Sequence, residues 1–250
     1  MNKNSNKKIV STIEARFAST RLAGKTLLEI CGKPTLELLI ERLRRSRFID
    51  EIVVATTVSS DCDRIESLAK RLKVGCFRGS EEDVLDRVLK AAKAYKADII
   101  VEITGDETLI DPVIVDETIE SYLKNDFDYV SNVLDRRYPR GLDTQVFSVS
   151  VLDEVSRLTN APADRENVSL YIYEHPQHYR LGSVRAPEEL NHPDWRWTLD
   201  TKEDFAFLKT VYQALYPKKK DFSSYDVLAF LKQKPWVLEI NSKIQQKPVY

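Results

Sequence analysis

Cysteine is scarce in this 250-residue chain: Cys31, Cys62 and Cys76 are odd in number, without paired spacing and without histidines nearby. That excludes a disulfide framework or a zinc site and points to reduced thiols in a cytosolic setting. Long apolar runs are missing too, none approaching the roughly 20 residues that span a bilayer. The start, Met1 to Lys8, is polar and basic with no apolar signal core behind it, so cytoplasm is the expected compartment. Neither charge sign is in excess: 38 Lys and Arg against 39 Asp and Glu leave a net charge of −1. A nucleic-acid binder held by a general phosphate field is therefore not indicated, and the cations must act locally. Repeats and low-complexity segments are absent, and the Lys218-Lys219-Lys220 run reads as a solvated loop.

What is present alternates. Ile9 to Ile13 reads as a strand. Leu36, Leu39, Ile40 and Leu43 recur at helical spacing after Pro34. Ile52 to Thr56 is a β-branched run, followed by a helical stripe of Ile65, Leu68, Ala69 and Leu72. Val74 to Phe77, a helix over Val84 to Ala92, the strand Ile99 to Ile103 and a helix opened by Pro112 complete the first half. Strands alternating with helices predict an α/β fold with a mostly parallel central sheet, its ligands beyond the carboxyl ends of the strands. From about Asn132 the pattern loosens: a turn at Tyr138 to Gly141, strands at Gln145 to Val149 and His178 to Val184, and helices at Glu166 to Glu174, Lys202 to Leu215 and Tyr225 to Leu231. Residues 1–250 are expected to form one domain, with 132–191 an inserted lobe on the same sheet.

The first strand breaks into Glu14-Ala15-Arg16-Phe17-Ala18-Ser19-Thr20-Arg21-Leu22-Ala23-Gly24-Lys25. Three cations, a glycine and two hydroxyls in one loop repel one another unless an anion sits among them, and after a strand of an α/β protein that anion is typically a phosphate chain. Gly24-Lys25-Thr26 resembles the end of a nucleoside-triphosphatase phosphate loop, but Ser19 stands where the first glycine belongs, and Gly32 and Pro34 interrupt the helix that should follow. Thr104-Gly105-Asp106 follows the strand Ile99 to Ile103, where Gly105 would let the backbone approach a ligand closely. Asp200 ends the apolar run Trp197 to Leu199 and opens a helix, so it serves as an N-cap, a metal ligand or both. Asp106 and Asp200 together would supply two carboxylates to one Mg²⁺ bridging phosphates. Glu107 is expected to point elsewhere. His175, His178 and His192 lie outside every strand-end motif and are expected in structural or surface positions.

Several ordered blocks carry a family resemblance. Glu14 to Lys25 with Gly32-Lys33-Pro34 resembles the opening of bacterial sugar-acid cytidylyltransferases, which act on 3-deoxy-manno-octulosonate or acylneuraminate. Phe77 to Arg87, Ile103 to Pro112, Tyr138 to Asp143 and Tyr171 to Pro176 are similar to the spore-coat polysaccharide branch. The likeness runs from about Lys8 to Leu208. It implies a Rossmann-like nucleotidyltransferase fold and a Mg²⁺-dependent reaction of CTP with an acceptor, releasing pyrophosphate. By position, Arg16, Lys25, Asp106 and Asp200 are implied as catalytic, with the two aspartates holding metal. Ala15, Arg16, Ser19, Arg21, Lys25 and Gly105 are implied as nucleotide contacts; Arg78, Ser80 and Arg87 fall where the family has nucleotide- or acceptor-side contacts. Arg140, Asp143 and Gln145 are the candidate acceptor-binding residues, since a cation beside a carboxylate suits an acceptor bearing acid and hydroxyl groups; a salt-bridged turn is the alternative. A phosphorylated acceptor giving a CDP-linked product would use Arg136, Arg137 and Arg140, and a nucleotide-binding protein without turnover is a further reading. The Asn167 to His175 segment would form a homodimer interface, as in relatives, or a core helix. Two departures stand out: Glu14, where relatives commonly carry Gln or Pro, puts a negative charge near the phosphate loop, and Glu107-Thr108 lacks the usual proline.

Overall fold

The computed structural model describes residues 7–247; the first six residues of the polar basic start and the last three lie outside it. The chain runs through β1 (Ile9–Glu14), a 3-10 turn (Lys25–Leu27), β2 (Glu29–Ile30), β3 (Lys33–Pro34), α1 (Thr35–Leu43), β4 (Glu51–Thr57), α2 (Asp63–Leu72), β5 (Gly75–Gly79), α3 (Val84–Ala94), β6 (Ile99–Thr104) and α4 (Pro112–Lys124). It continues with β7 (Tyr129–Ser131), β8 (Gln145–Ser148), α5 (Val149–Leu158), α6 (Pro162–Glu166), α7 (Leu170–Glu174), β9 (Leu181–Ser183), α8 (Lys202–Leu215) and α9 (Ser224–Gln233).

Seven strands make one sheet in the order β5-β4-β1-β6-β8-β7-β9. The four strands β5, β4, β1 and β6 are parallel. β8 runs antiparallel to both β6 and β7, and β9 is parallel to β7. This is the mostly parallel α/β sheet that the alternation of strands and helices predicts. Its strands are buried on both faces because helices cover both. Ile13, Val54 and Val101 pack with Leu36, Ile65 and Val115 of α1, α2 and α4. Val10, Val53 and Ile100 pack against Leu85, Val88 and Leu152 of α3 and α5. A third cluster gathers Trp197, Phe207, Tyr212, Phe222 and Leu228 around Ile30, Leu38 and Leu109, docking the last two helices against α1 and the β6–α4 loop.

Two local expectations are corrected. The helix over Glu166 to Glu174 is broken into α6 and α7, because Asn167 leaves helical geometry at φ −112°, ψ 88°, and Pro162 had already started α6 upstream. The strand expected at His178 to Val184 shortens to β9, and β7 pairs with it ahead of the irregular region.

Register brings the two key loops together. Glu14 stands opposite Ala55 and Thr104, so β1 and β6 end level while β4 runs on to Thr57. The basic loop and Thr104-Gly105-Asp106 therefore leave the sheet side by side. The Gly105 amide donates to the Glu14 carbonyl at 2.9 Å, and a Cβ on Gly105 would lie 2.6 Å from that oxygen. The glycine is thus required first by β1's backbone, a nearer neighbour than any ligand.

Candidate active site

A cleft of about 470 Å³ opens where β1 and β6 end. Its walls include Ala15, Arg16, Ser19, Arg21, Lys25, Arg87, Gly105, Asp106, Arg140, Asp143, Gln145 and Asp200. Arg78 and Ser80 are not among them. The Arg78 guanidinium is consumed by Asp63 and Glu66, at 2.7 and 2.6 Å, and by the Thr57 and Ser59 carbonyls. The Ser80 hydroxyl accepts from the Asp83 amide just before α3.

At the centre the Lys25 ammonium donates to Asp106 Oδ2 at 2.7 Å and Asp200 Oδ1 at 2.9 Å. Gly24, at φ +66°, turns the chain into the short 3-10 segment that presents Lys25. The Thr35 hydroxyl, at the start of α1, holds the Lys25 carbonyl at 2.7 Å. Burial opposes the Lys25 charge, but the Asp106 and Asp200 carboxylates outweigh it and raise its pKa. For Asp106 burial acts upward, and Lys25 with the Thr104 hydroxyl, 2.6 Å away, overrides it and lowers the pKa. Arg21 adds a contact to Asp200 Oδ2 at 3.0 Å.

Asp200 is not a helix cap. Thr201 caps α8, its hydroxyl accepting from the Asp204 amide, while Asp204 reaches back to complete the capping box. That leaves the Asp200 carboxylate free for the cleft. Arg196, buried and outside the sequence-based candidates, aims it: its guanidinium meets Asp200 Oδ2 at 3.2 Å and Asp204 Oδ2 at 3.1 Å. Asn241 donates to Asp204 Oδ1 at 2.9 Å. The visible signal was i,i+4 spacing, with Arg196 four residues before Asp200 and Asp204 four after.

Beside the Asp200 segment the wall continues through the turn at Tyr138 to Gly141. Arg140 pairs with Arg196 as a parallel bridge, its amide donating to the Trp195 carbonyl and its carbonyl accepting from Trp197 at 2.7 Å. Gly141 sits at φ +101°, and a Cβ there would lie 2.6 Å from the Trp197 and Thr198 backbone. Arg140 makes no ion pair among the described residues, whereas Arg136 is held by Asp143 in a two-pronged contact at 2.9 and 2.7 Å and Arg137 by Asp135 at 3.0 Å. Gln145 accepts from Tyr129 and Ser169 hydroxyls.

The cleft floor holds acids that sequence reading placed otherwise. Glu107 lines the cleft instead of pointing elsewhere, with Oε2 buried and unpartnered; burial, then Asp143 and Asp106, lifts its pKa well above the usual carboxylate range. Glu14 does not act as a simple negative charge. Burial lifts its pKa to about 7, against the hydrogen bond with Glu102 and the charge of Arg87, which lower it. Glu102, buried with an unpartnered Oε2, is raised well above the ordinary value by burial and by Glu14. Glu14 and Glu102 therefore both hold a proton more tightly than a free carboxyl does. Histidine plays no part in the walls: His175 stacks on Tyr171 and His192 on Trp195, at 3.9 and 3.7 Å between ring centres.

Converging cations and two carboxylates at the ends of parallel strands define a nucleotide-handling α/β site. The chain matches the cytidylyltransferase family over residues 10–244, and it belongs to that family. It is 35% identical over 235 residues to the spore coat polysaccharide biosynthesis protein SpsF of Bacillus subtilis, covering 91% of this chain and 95% of that one. It is 32% identical over 243 residues to 3-deoxy-manno-octulosonate cytidylyltransferase of Geobacter sulfurreducens, covering 95% and 85%. A solved cytidylyltransferase from Leptospira borgpetersenii superposes with a TM-score of 0.88 at 33% identity, covering 97% of this chain and all of that one. The protein is thus a cytidylyltransferase. Among the described residues, no helix is long and apolar enough to cross a membrane.

Proposed function

We propose that this cytidylyltransferase transfers CMP from CTP to a sugar acid or related polysaccharide precursor and releases pyrophosphate. The observation that carries the reading is one ammonium, Lys25, within 2.9 Å of two carboxylates drawn from positions 81 and 175 residues further along the chain. Such a pair of hard oxygen donors fits Mg²⁺, which takes one or two protein carboxylates and completes its shell with phosphate and water. Asp106 and Asp200 would hold it, and when bound it supplies charge neutralisation at the phosphate under attack.

The remaining chemistry belongs to the chain. Lys25, Arg16 and Arg21 would supply preorganised counter-charge to a triphosphate, and neutralising the departing pyrophosphate would lower the barrier to transfer. Arg140, the cation of its turn without an internal carboxylate partner among the described residues, is the group for an acceptor's acid. Because Arg136 and Arg137 are already paired, the turn has little spare charge for a phosphorylated acceptor, which favours a carboxylate. The relatives' names point the same way, one to spore-coat polysaccharide synthesis and one to 3-deoxy-manno-octulosonate. The 132–191 segment, which carries Arg140, Asp143 and Gln145, would serve as the acceptor lobe. Pyrophosphate release with CTP, Mg²⁺ and a panel of 2-keto-3-deoxy and acylamino sugar acids tests the reading. Release with sugar acids is expected; release only with phosphorylated acceptors, or with none, would overturn it.

A further inference from the structure

A second cavity, about 260 Å³, lies away from the cleft between α1 and the carboxyl end of α8. Four cations and two carboxylates line it: Lys33, Arg42, Arg45 and Lys220 against Glu41 and Asp221. One carboxylate is spent. Glu41 is paired with Lys33 and accepts the Tyr216 hydroxyl at 2.8 Å. With Lys33 matched by Glu41, Arg42, Arg45 and Lys220 face one further carboxylate, Asp221, and the remaining balance favours an incoming negative charge.

The two arginines are unusual for their setting. Arg42 is only 3% exposed; its Nε donates to the Ile110 carbonyl at 2.6 Å, and its guanidinium lies 4.6 Å from the centre of the Phe222 ring. Both of its terminal nitrogens lack a hydrogen-bond partner, as does the buried Nη2 of Arg45. A buried guanidinium is costly unless its N–H groups are satisfied, and two neighbouring ones also repel: burial, then the Arg42 charge, lowers the pKa of Arg45. Planar forks of N–H donors beside a cavity, with aromatic walls at Tyr212 and Tyr216, match the geometry of an oxyanion bound through several oxygens.

We infer that the cavity bounded by Arg42 and Arg45 binds a compact oxyanion, the phosphate or carboxylate group of a small ligand, at a site separate from the catalytic cleft. The ligand would tie α1 to the end of α8. Because α1 begins at Thr35, whose hydroxyl holds the Lys25 carbonyl, occupancy would also steady the loop that carries Lys25.

Calorimetric titration of the full chain with inorganic phosphate, and separately with citrate, tests this and separates phosphate from carboxylate ligands. Binding to the cleft is reduced with an Arg21→Ala/Lys25→Ala double variant, and the cavity variants are made in that background as well as in the unaltered chain. That variant is expected to keep a phosphate- or citrate-binding site, and Arg45→Met is expected to weaken that site about tenfold or more by removing a charge-assisted contact. Asp221→Asn, which removes the competing carboxylate, should tighten it. Arg45 is half-buried, so its removal leaves the core intact, and the Asp221 variant gives a gain that misfolding cannot mimic. Loss of all anion binding in the double variant, equal affinity in Arg45→Met and the unaltered chain, or no effect of Asp221→Asn would overturn the inference.

Discussion

Glu14→Gln is the perturbation that most directly interrogates the cleft floor. In the folded protein the Glu14 carboxyl titrates near 7 instead of at its ordinary 4.5. A carboxyl with a raised folded pKa binds its proton more tightly in the native state. Its stabilising contribution is therefore complete below about pH 4.5 and is lost as the pH rises through 7. At 1.36 kcal/mol per pH unit of separation, the full loss is about 3 kcal/mol. Glutamine keeps the shape and hydrogen-bonding capacity of the protonated acid but cannot ionise. Urea unfolding should consequently find Glu14→Gln nearly as stable as the unaltered chain at about pH 4.5, and more stable by up to about 3 kcal/mol at about pH 8. Glu102 should also ionise more readily once Glu14 no longer opposes it. An identical stability change at the two pH values would mean that the fold does not tighten Glu14's hold on its proton, and the reasoning would fail.

Asp106→Asn keeps the side-chain volume but removes one of the two charges around Lys25, and pyrophosphate release should fall on the order of 10²-fold or more in a steady-state assay. Gly141→Ala forces a side chain onto φ +101° and into the Trp197 backbone; urea melts should show a loss of roughly 2 kcal/mol or more from the strained conformation and the clash. Arg196→Met strips the cation from the fully buried Asp204, which should cost about 3–5 kcal/mol in the same melts and lower turnover by loosening Asp200.

Much of this arrangement was legible in the chain. The first half reads directly because buried parallel strands are continuous apolar runs and their helices show a 3.6-residue stripe; Val10 and Leu85, Val54 and Ile65 meet as that pattern requires. The cations of the first loop and Asp106 announced themselves by position after strands. The second half was harder. β8 inserts antiparallel beside β6, a choice made by tertiary pairing that a four-residue strand does not encode, and Asn167 splits a helix that tyrosine spacing alone would continue. Arg78 was misleading because guanidinium chemistry does not distinguish a ligand contact from the pair of acids, Asp63 and Glu66, that α2 supplies. The acids of the floor were hidden for another reason: the meaning of Glu14, Glu102 and Glu107 depends on burial and on one another's charge, and neither is a local property. Arg196 escaped because its role acts through Asp200 and Asp204, contacts made by an irregular segment whose course the sequence pattern does not give.

The seat of Lys25 has a consequence for metal binding. The Lys25 ammonium lies between Asp106 and Asp200, so on the proposed reading a divalent cation held by those two carboxylates would compete with a charged side chain for the same oxygens. A polyphosphate gives that ammonium somewhere better to go. On that reading Asp106 and Asp200 would hold the ion and Lys25 would supply counter-charge to the polyphosphate, so binding of the metal should be stronger with nucleotide than without it.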